Sequence, residues 1–387
     1  MLTEYELKMP HAVYAGENAL QKIEMILKAN KVSRVVIFTD KGIEGNGLLE
    51  LPLKWIRSAG AEAVVLDDLP NEPSYLEAQA VIDQCKQYDF QMIVGIGGGS
   101  VMDTAKLASM LMTDEYGVKE LLDNPLLAKK QIKTLMIPTT AGTGSEATPN
   151  AIVAVPEKEL KVGIVNAEMI SDYVILDAEM IKNMPAKVAA ATGVDALSHA
   201  IECWTSNKAN PLSDTFSMRA LDMILNNIEE ACTNPDAMEA KNTMQVASFF
   251  AGVAITASGT TGVHALSYPL GGKYHIAHGV SNAILLVPVM RFNEPAIQDR
   301  LAEAYDRCVH TEHTCTTDEE KSGYMIEWLA RIVRNLKIPT NLREFNVPVE
   351  DLDGLVDAGM QVTRLLVNNI RKITPEDARA IYRQVLN

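Results

Sequence analysis

Aromatic residues make up only 5% of this 387-residue chain, and cysteine occurs five times, at Cys85, Cys203, Cys232, Cys308 and Cys315. An odd number of scattered cysteines excludes a disulfide framework and points to a reducing cytoplasm. Long apolar runs are missing as well. The longest, such as Ala283–Met290 (AILLVPVM), fall far short of the roughly 20 residues that a membrane-spanning helix needs. Basic residues are outnumbered, with 35 Lys and Arg against 50 Asp and Glu and a net charge of −15. That balance argues against a nucleic-acid partner, because phosphate binding needs a basic face. The opening residues, MLTEYELKMPH, carry acids and no apolar core, so they do not read as a secretory signal. Internal repeats, low-complexity segments and Pro- or Ser-rich linkers are absent, so tightly packed domains are expected.

The chain is otherwise of ordinary globular composition, 47% hydrophobic and 22% charged, and its length suggests two domains. In the first half, short apolar runs alternate with helical periodicity. The runs are Val35–Asp40, Ala63–Leu66, Met92–Gly95 and Thr134–Ile137; between them lie helical patterns at Ala19–Ala29, Tyr75–Tyr88 and Val101–Met112. This alternation predicts βαβ units and a parallel sheet. Ala151–Val155 and Lys161–Val165, joined by PEKEL, read as an added hairpin. From about Lys187 onward nearly every periodic segment is helical: Leu212–Ala231, Ala237–Ala257, Ala296–Val309 and Asp318–Leu336. Thr374-Pro375 starts another helix, with threonine as the cap and proline in the first turn. Turn-forming residues at Asn183–Pro185 mark the boundary. The expected organisation is an α/β, Rossmann-like domain over residues 1–185 and an all-α domain over residues 186–387.

Two loops in the first domain carry chemistry. Gly95-Ile-Gly97-Gly98-Gly99-Ser100 follows a strand and opens a helix. Glycines there let backbone N–H groups approach an anion, and the helix N-terminus adds free donors and partial positive charge. The G-x-G-x-x-G fingerprint is not met, since Ser100 stands sixth. Asp103 and Lys106, one turn into the helix, read by themselves as solvated face residues. A second Gly/Thr loop, Pro138 to Glu146 (PTTAGTGSE), also follows a strand and offers hydroxyls and free amides. Two such loops at the C-terminal edge of one sheet point to a nucleotide. Asp40 suits the ribose hydroxyls of such a ligand, or is simply a turn or cap aspartate.

The second domain concentrates three of the chain's seven histidines beside one acid. Asp195 and His199 in GVDALSHAIE share a helix face at a spacing of four. That pair alone is an ordinary surface pair. His264 and His278, however, lie in a Gly-rich, barely charged stretch, GVHALSYPLGGKYHIAHG, where buried polar groups need partners. One carboxylate and three imidazoles suit a divalent transition metal such as iron or zinc. A second possible ligand group, Cys308-Val-His310-Thr-Glu-His313-Thr-Cys315, lacks the usual structural-zinc spacing and reads as a polar surface loop.

Four stretches together, GIGGGSVMDTAK (95–106), IPTTAGTGSEAT (137–148), AATGVDALSHAIECW (190–204) and VHALSYPLGGKYHIAHGVSNAILL (263–286), resemble the iron-containing (group III) alcohol dehydrogenases. The resemblance implies the dehydroquinate synthase-like fold of that family, an α/β dinucleotide-binding domain and a helical metal domain. It implies Fe²⁺, with Zn²⁺ as the other option, held by Asp195, His199, His264 and His278. It implies NAD(H) bound by Asp40, Asn71, Gly98, Gly99, Ser100, Asp103, Thr139, Thr140, Thr143, Thr148 and Lys161, and a homodimer or higher homo-oligomer. Many relatives carry histidine where Tyr268 stands. Tyr268, His275 and Lys161 are the candidates for proton handling and substrate contact. The expected reaction is NAD-linked interconversion of a small primary alcohol and its aldehyde, with the metal stabilising the alkoxide. A reductase for an anionic, sulfonate-, phosphonate- or carboxylate-bearing aldehyde is the second reading. A metal-dependent hydrolase or lyase is a third, of another class. No nucleic-acid or membrane partner is expected.

Overall fold

The computed structural model describes residues 4–386. Lys8–Met184 forms one compact unit, and residues 185–386, with residues 4–7, form a second.

The first unit is built on eight strands: β1 (Ala12–Ala15), β2 (Arg34–Phe38), β3 (Glu62–Leu66), β4 (Met92–Gly97), β5 (Lys133–Pro138), β6 (Asn150–Val155), β7 (Leu160–Val165) and β8 (Tyr173–Leu176). Six of them make an all-parallel sheet in the order β1-β8-β5-β4-β2-β3, and β6 and β7 form an antiparallel hairpin. Helices α1 (Lys22–Ala29), α2 (Lys41–Gly45), α3 (Glu50–Ser58), α4 (Tyr75–Cys85), α5 (Gly99–Met110) and α6 (Val118–Asp123) connect the strands. The central strands are buried along nearly their whole length, all six residues of β4 included. This is why they read as unbroken apolar runs rather than alternating ones. Ile23, Val35, Ile37, Val94 and Leu135 lie in the core between sheet and helices.

Strand order fixes where a ligand can sit. From β2 the chain moves outward to β3, and from β4 it moves the opposite way to β5. The adjacent strands β2 and β4 therefore flank a topological switch point, and open α/β sheets bind ligands beyond the C-terminal ends of such strands.

The second unit is helical: α7 (Ala186–Trp204), α8 (Pro211–Thr233), α9 (Met238–Ser258), α10 (Gly262–Tyr274), α11 (His278–Asn293), α12 (Gln298–Cys308), α13 (Asp318–Asn335), α14 (Leu352–Met360), α15 (Thr363–Leu366) and α16 (Pro375–Leu386). No single helix among the described residues is long and apolar enough to cross a membrane. Side-chain caps define several starts. Asn210 receives the amides of Leu212 and Ser213 ahead of Pro211, and Thr374 receives that of Asp377 ahead of Pro375. These are the start signals that the sequence carries.

Candidate functional site

Asp195 and His199 stand one turn apart on α7, His264 lies in the first turn of α10, and His278 opens α11. The turn between the last two is made by His275, which takes the left-handed conformation (φ 54°) as the C-cap of α10. The four side chains converge. Each offers one ligand atom within 4.8 Å of the others. Asp195 Oδ1 is 3.8 Å from His199 Nε2, 3.6 Å from His264 Nε2 and 3.5 Å from His278 Nε2. Four ligands at zinc- or iron-like bond lengths around one ion lie roughly 3.4 Å apart, so a small contraction closes the site on a cation. His199 and His264 stack, with ring centroids 4.5 Å apart. Three of the four residues are buried, while the side chain of His278 keeps 28% exposure and leaves the cluster reachable from one side.

The electrostatics favour a cation at the same point. Burial alone would raise the Asp195 carboxyl, but His199, His278 and His264 outweigh it and hold the group far below the usual carboxylate range. Burial alone would lower His264, but Glu202 and Asp195 reverse this and lift it to about 9. Asn282, one turn beyond His278 on α11, aims its amide nitrogen into the cluster. The nitrogen lies 2.7 Å from Asp195 Oδ1, 3.1 Å from His264 Nε2 and 3.3 Å from His278 Nε2. Its own Oδ1 is buried without a hydrogen-bond partner. Three imidazole nitrogens and one carboxylate oxygen thus converge on one spot, and a divalent ion fits that donor set once it displaces the proton that His264 holds.

Tyr268, on the same helix as His264, is buried, with its ring 6.0 Å from that of His278. His275 is exposed. The Cys308–Cys315 segment does not assemble into a ligand set. His310 pairs with Asp222 at 2.7 Å, His313 Nε2 lies 2.9 Å from the Val309 carbonyl oxygen, and Cys308 is buried beside Met218. The four-residue cluster has no counterpart among the described residues.

In the first unit, the nucleotide-site candidates gather at the switch point. Gly97 pairs with Pro138 and Phe38 with Gly95, so the segments after β2, β4 and β5 emerge side by side. Gly98 and Gly99 face the second loop, and a Cβ on Gly99 would come within 2.8 Å of Thr143. Glycine is what lets the two loops approach so closely. Ser100 Oγ accepts from the Glu72 amide at 3.1 Å, and Glu72 in turn receives Lys161 at 2.6 Å. The Asn71–Glu72 loop, the glycine turn and the hairpin are thereby tied together. Lys161 is 8% exposed rather than a free surface charge.

One expectation changes here. Asp103 and Lys106 are buried, not solvated, because β6 and the second loop cover their face of α5. The Asp103 carboxylate receives the Ser145 hydroxyl, the Lys106 ammonium at 2.9 Å and the Ile152 amide at 2.8 Å. Lys106 Nζ also donates to the carbonyls of Ser145 and Asn150. Burial lowers the Lys106 pKa and Asp103 only partly offsets it, while burial pushes Glu146 up to about 7. This buried pair fixes the shape of the second loop, a role that the sequence did not reveal. Asp40, for its part, lies beyond the end of β2 and caps α2 by accepting the Ile43 amide at 3.0 Å.

The comparisons with known proteins agree with this arrangement. Residues 10–178 match the model of the iron-containing alcohol dehydrogenases, and residues 189–386 match that of the C-terminal part of the Fe-containing alcohol dehydrogenase family. The chain belongs to this family and is an oxidoreductase. It is 32% identical to Long-chain-alcohol dehydrogenase 1 of Geobacillus thermodenitrificans, over 96% of this chain and 94% of that one. Among solved structures it is similar to a 1,3-propanediol oxidoreductase (TM-score 0.94, 27% identity, 99% and 100% of the two chains covered). It is also similar to the sulfoacetaldehyde reductase of Bifidobacterium kashiwanohense, solved with NAD⁺ (TM-score 0.87, 26% identity, 100% and 99% covered).

Proposed function

We propose that this protein is a metal-dependent, NAD(H)-linked alcohol dehydrogenase or aldehyde reductase for a small primary alcohol or aldehyde. The observation that carries the proposal is the convergence of Asp195, His199, His264 and His278 on one point. Residues 1–185 supply the dinucleotide site and residues 186–387 the metal site. Oxidation of the alcohol removes a hydride from carbon and a proton from oxygen. Iron or zinc at the four-residue cluster supplies Lewis acidity toward that oxygen, and NAD supplies the hydride acceptor. The amides of Gly98, Gly99 and Ser100, at the start of α5, hold the pyrophosphate. The hydroxyls of Thr139, Thr140 and Thr143 line the second loop. Tyr268 brings its phenol ring beside His278, but a phenol is a poor proton shuttle at neutral pH, so His275 is the candidate for moving the proton. The family and the five free cysteines support a cytoplasmic homodimer or higher homo-oligomer.

The test is an NADH-linked assay on protein with its metal counted, using neutral and anionic aldehydes in parallel. Turnover in proportion to metal content is the expected result. An unchanged NADH absorbance across the whole panel, at full metal content, would exclude the dehydrogenase reading. Activity on sulfoacetaldehyde far above that on propanal would select the anionic-aldehyde reading, which the sulfonate-acting relative supports.

The same reading makes Asp40 the discriminator against NADP. Its carboxylate stands beyond β2, at the switch point, where it can accept ribose hydroxyls and repel a 2′-phosphate. Asp40→Gly is expected to narrow the preference for NADH over NADPH by at least about tenfold, or about 1.4 kcal/mol. Paired kcat/KM values for the two cofactors measure it, and an unchanged ratio removes Asp40 from that role.

A further inference from the structure

Glu202 is three residues beyond His199 and seven beyond Asp195 on α7, so all three side chains share one face of that helix. Its side chain is completely buried, in surroundings where a lone carboxylate would be costly. Four donors meet it. Oε1 accepts from the Thr261 amide at 3.1 Å, the Thr261 hydroxyl at 2.7 Å and the Val263 amide at 2.7 Å. Oε2 faces Nδ1 of His264. The first three contacts cap α10. The fourth acts on the metal cluster, because an imidazole that gives its Nδ1 proton to a carboxylate keeps its lone pair on Nε2. That Nε2 is the atom facing Asp195 Oδ1.

We propose that Glu202 is a positioning residue of the metal centre, which holds His264 with the proton on Nδ1 and the lone pair on Nε2 and thereby sets the affinity for the ion. This rests on the reading of Asp195, His199, His264 and His278 as the ligands. Partners of ligating histidines commonly fix the tautomer and ring orientation in this way. Here the same carboxylate also anchors the start of the helix that carries His264, so ring angle and helix position are set together.

Glu202→Gln separates the two roles. Glutamine has the same shape, and its amide oxygen can keep the three capping bonds. Its amide nitrogen then meets Nδ1, donor against donor, and His264 must move its proton to Nε2, where it blocks the ion. The expected result is a dissociation constant for Zn²⁺ weakened about 10- to 100-fold. Zinc-loaded wild-type protein should also show a slowly exchanging His264 Nδ1–H resonance in ¹⁵N–¹H spectra, one that disappears on His264→Gln. A Zn²⁺ affinity within threefold of wild type in Glu202→Gln overturns the proposal. So does the absence of the Nδ1–H resonance, which is measured on wild-type protein and holds even if the variant fails to fold. If His278→Ala also keeps its metal, the ligand assignment itself has failed. If His278→Ala loses metal while Glu202→Gln keeps it, only the role of Glu202 has failed.

Discussion

Asp195→Asn is expected to lose bound metal and NADH-linked turnover together, each by at least about a thousandfold, equivalent to roughly 4 kcal/mol. Asp195 is the single anion among the four ligand residues, and its Oδ1 is the atom that lies between 3.5 and 3.8 Å from all three imidazoles. The substitution keeps volume and the contact with Asn282, so little collapse is expected. What disappears is the negative charge. A divalent ion in a buried site of three neutral imidazoles lacks the anion that offsets its desolvation. The second buried carboxylate nearby, Glu202, cannot take over, because both of its oxygens are committed to donors of α10. Metal per protomer after dialysis, beside kcat/KM on the same sample, measures the effect. Full metal content with activity within tenfold of wild type would remove Asp195 from the ligand set.

The parts of this site that could be read from the sequence are those set by local spacing. His264 and His278 stand out through their presence in a stretch almost free of charge, and only beside them does the helical interval of four between Asp195 and His199 read as more than a surface pair. Glu202 carries the same kind of signal, since it extends the Asp195–His199 face by one more turn. Its meaning, however, depends on α10 arriving from some sixty residues away, and no local pattern encodes that. Lys106 failed for a related reason. GGGSVMDTAK looks like a helix start with a wet face, and only the second loop and β6 folding over α5 make the lysine a buried strut. In the first unit, the apolar runs that became β2 through β5 and the β6–β7 hairpin were legible because they are bounded by turn residues. The four-residue strands β1 (AVYA) and β8 (YVIL) carry no such signal. They are too short to show a period, and β8 is defined by its neighbours β1 and β5 rather than by its own sequence. Asp40 shows the limit at single-residue scale: the acid at the end of the run is real, but the strand stops two residues earlier and the aspartate starts a helix.

Gly279→Ala is expected to cripple the metal centre without touching a ligand. Gly279 follows His278 in the first turn of α11, and this is where α11 crosses α7. A Cβ built on Gly279 would lie 2.1 Å from the carbonyl oxygen of Ala191 and 2.6 Å from its carbon. Both are backbone atoms, so no side-chain rotation relieves the clash. Ala191 is one turn before Asp195 on the same helix, and a shift of α7 would displace Asp195 and His199. The alternative is that α11 backs away by an ångström or more and takes His278 with it. Metal–ligand distances tolerate only about 0.2 Å, so either movement opens the cluster. The expected cost is about 1–3 kcal/mol of stability from overpacking and a metal affinity at least about a hundredfold weaker. Titration of metal-free protein with Zn²⁺, beside thermal melts, measures both. Gly323→Ala is the control: it sits within α13 with nothing within 4 Å of the added methyl, and alanine there should leave metal binding unchanged and raise stability by up to about 1 kcal/mol. If Gly279→Ala binds Zn²⁺ within threefold of wild type, then α7 and α11 are not held at this crossing. In that case the packing of Gly279 against Ala191 is not what places His278 beside Asp195.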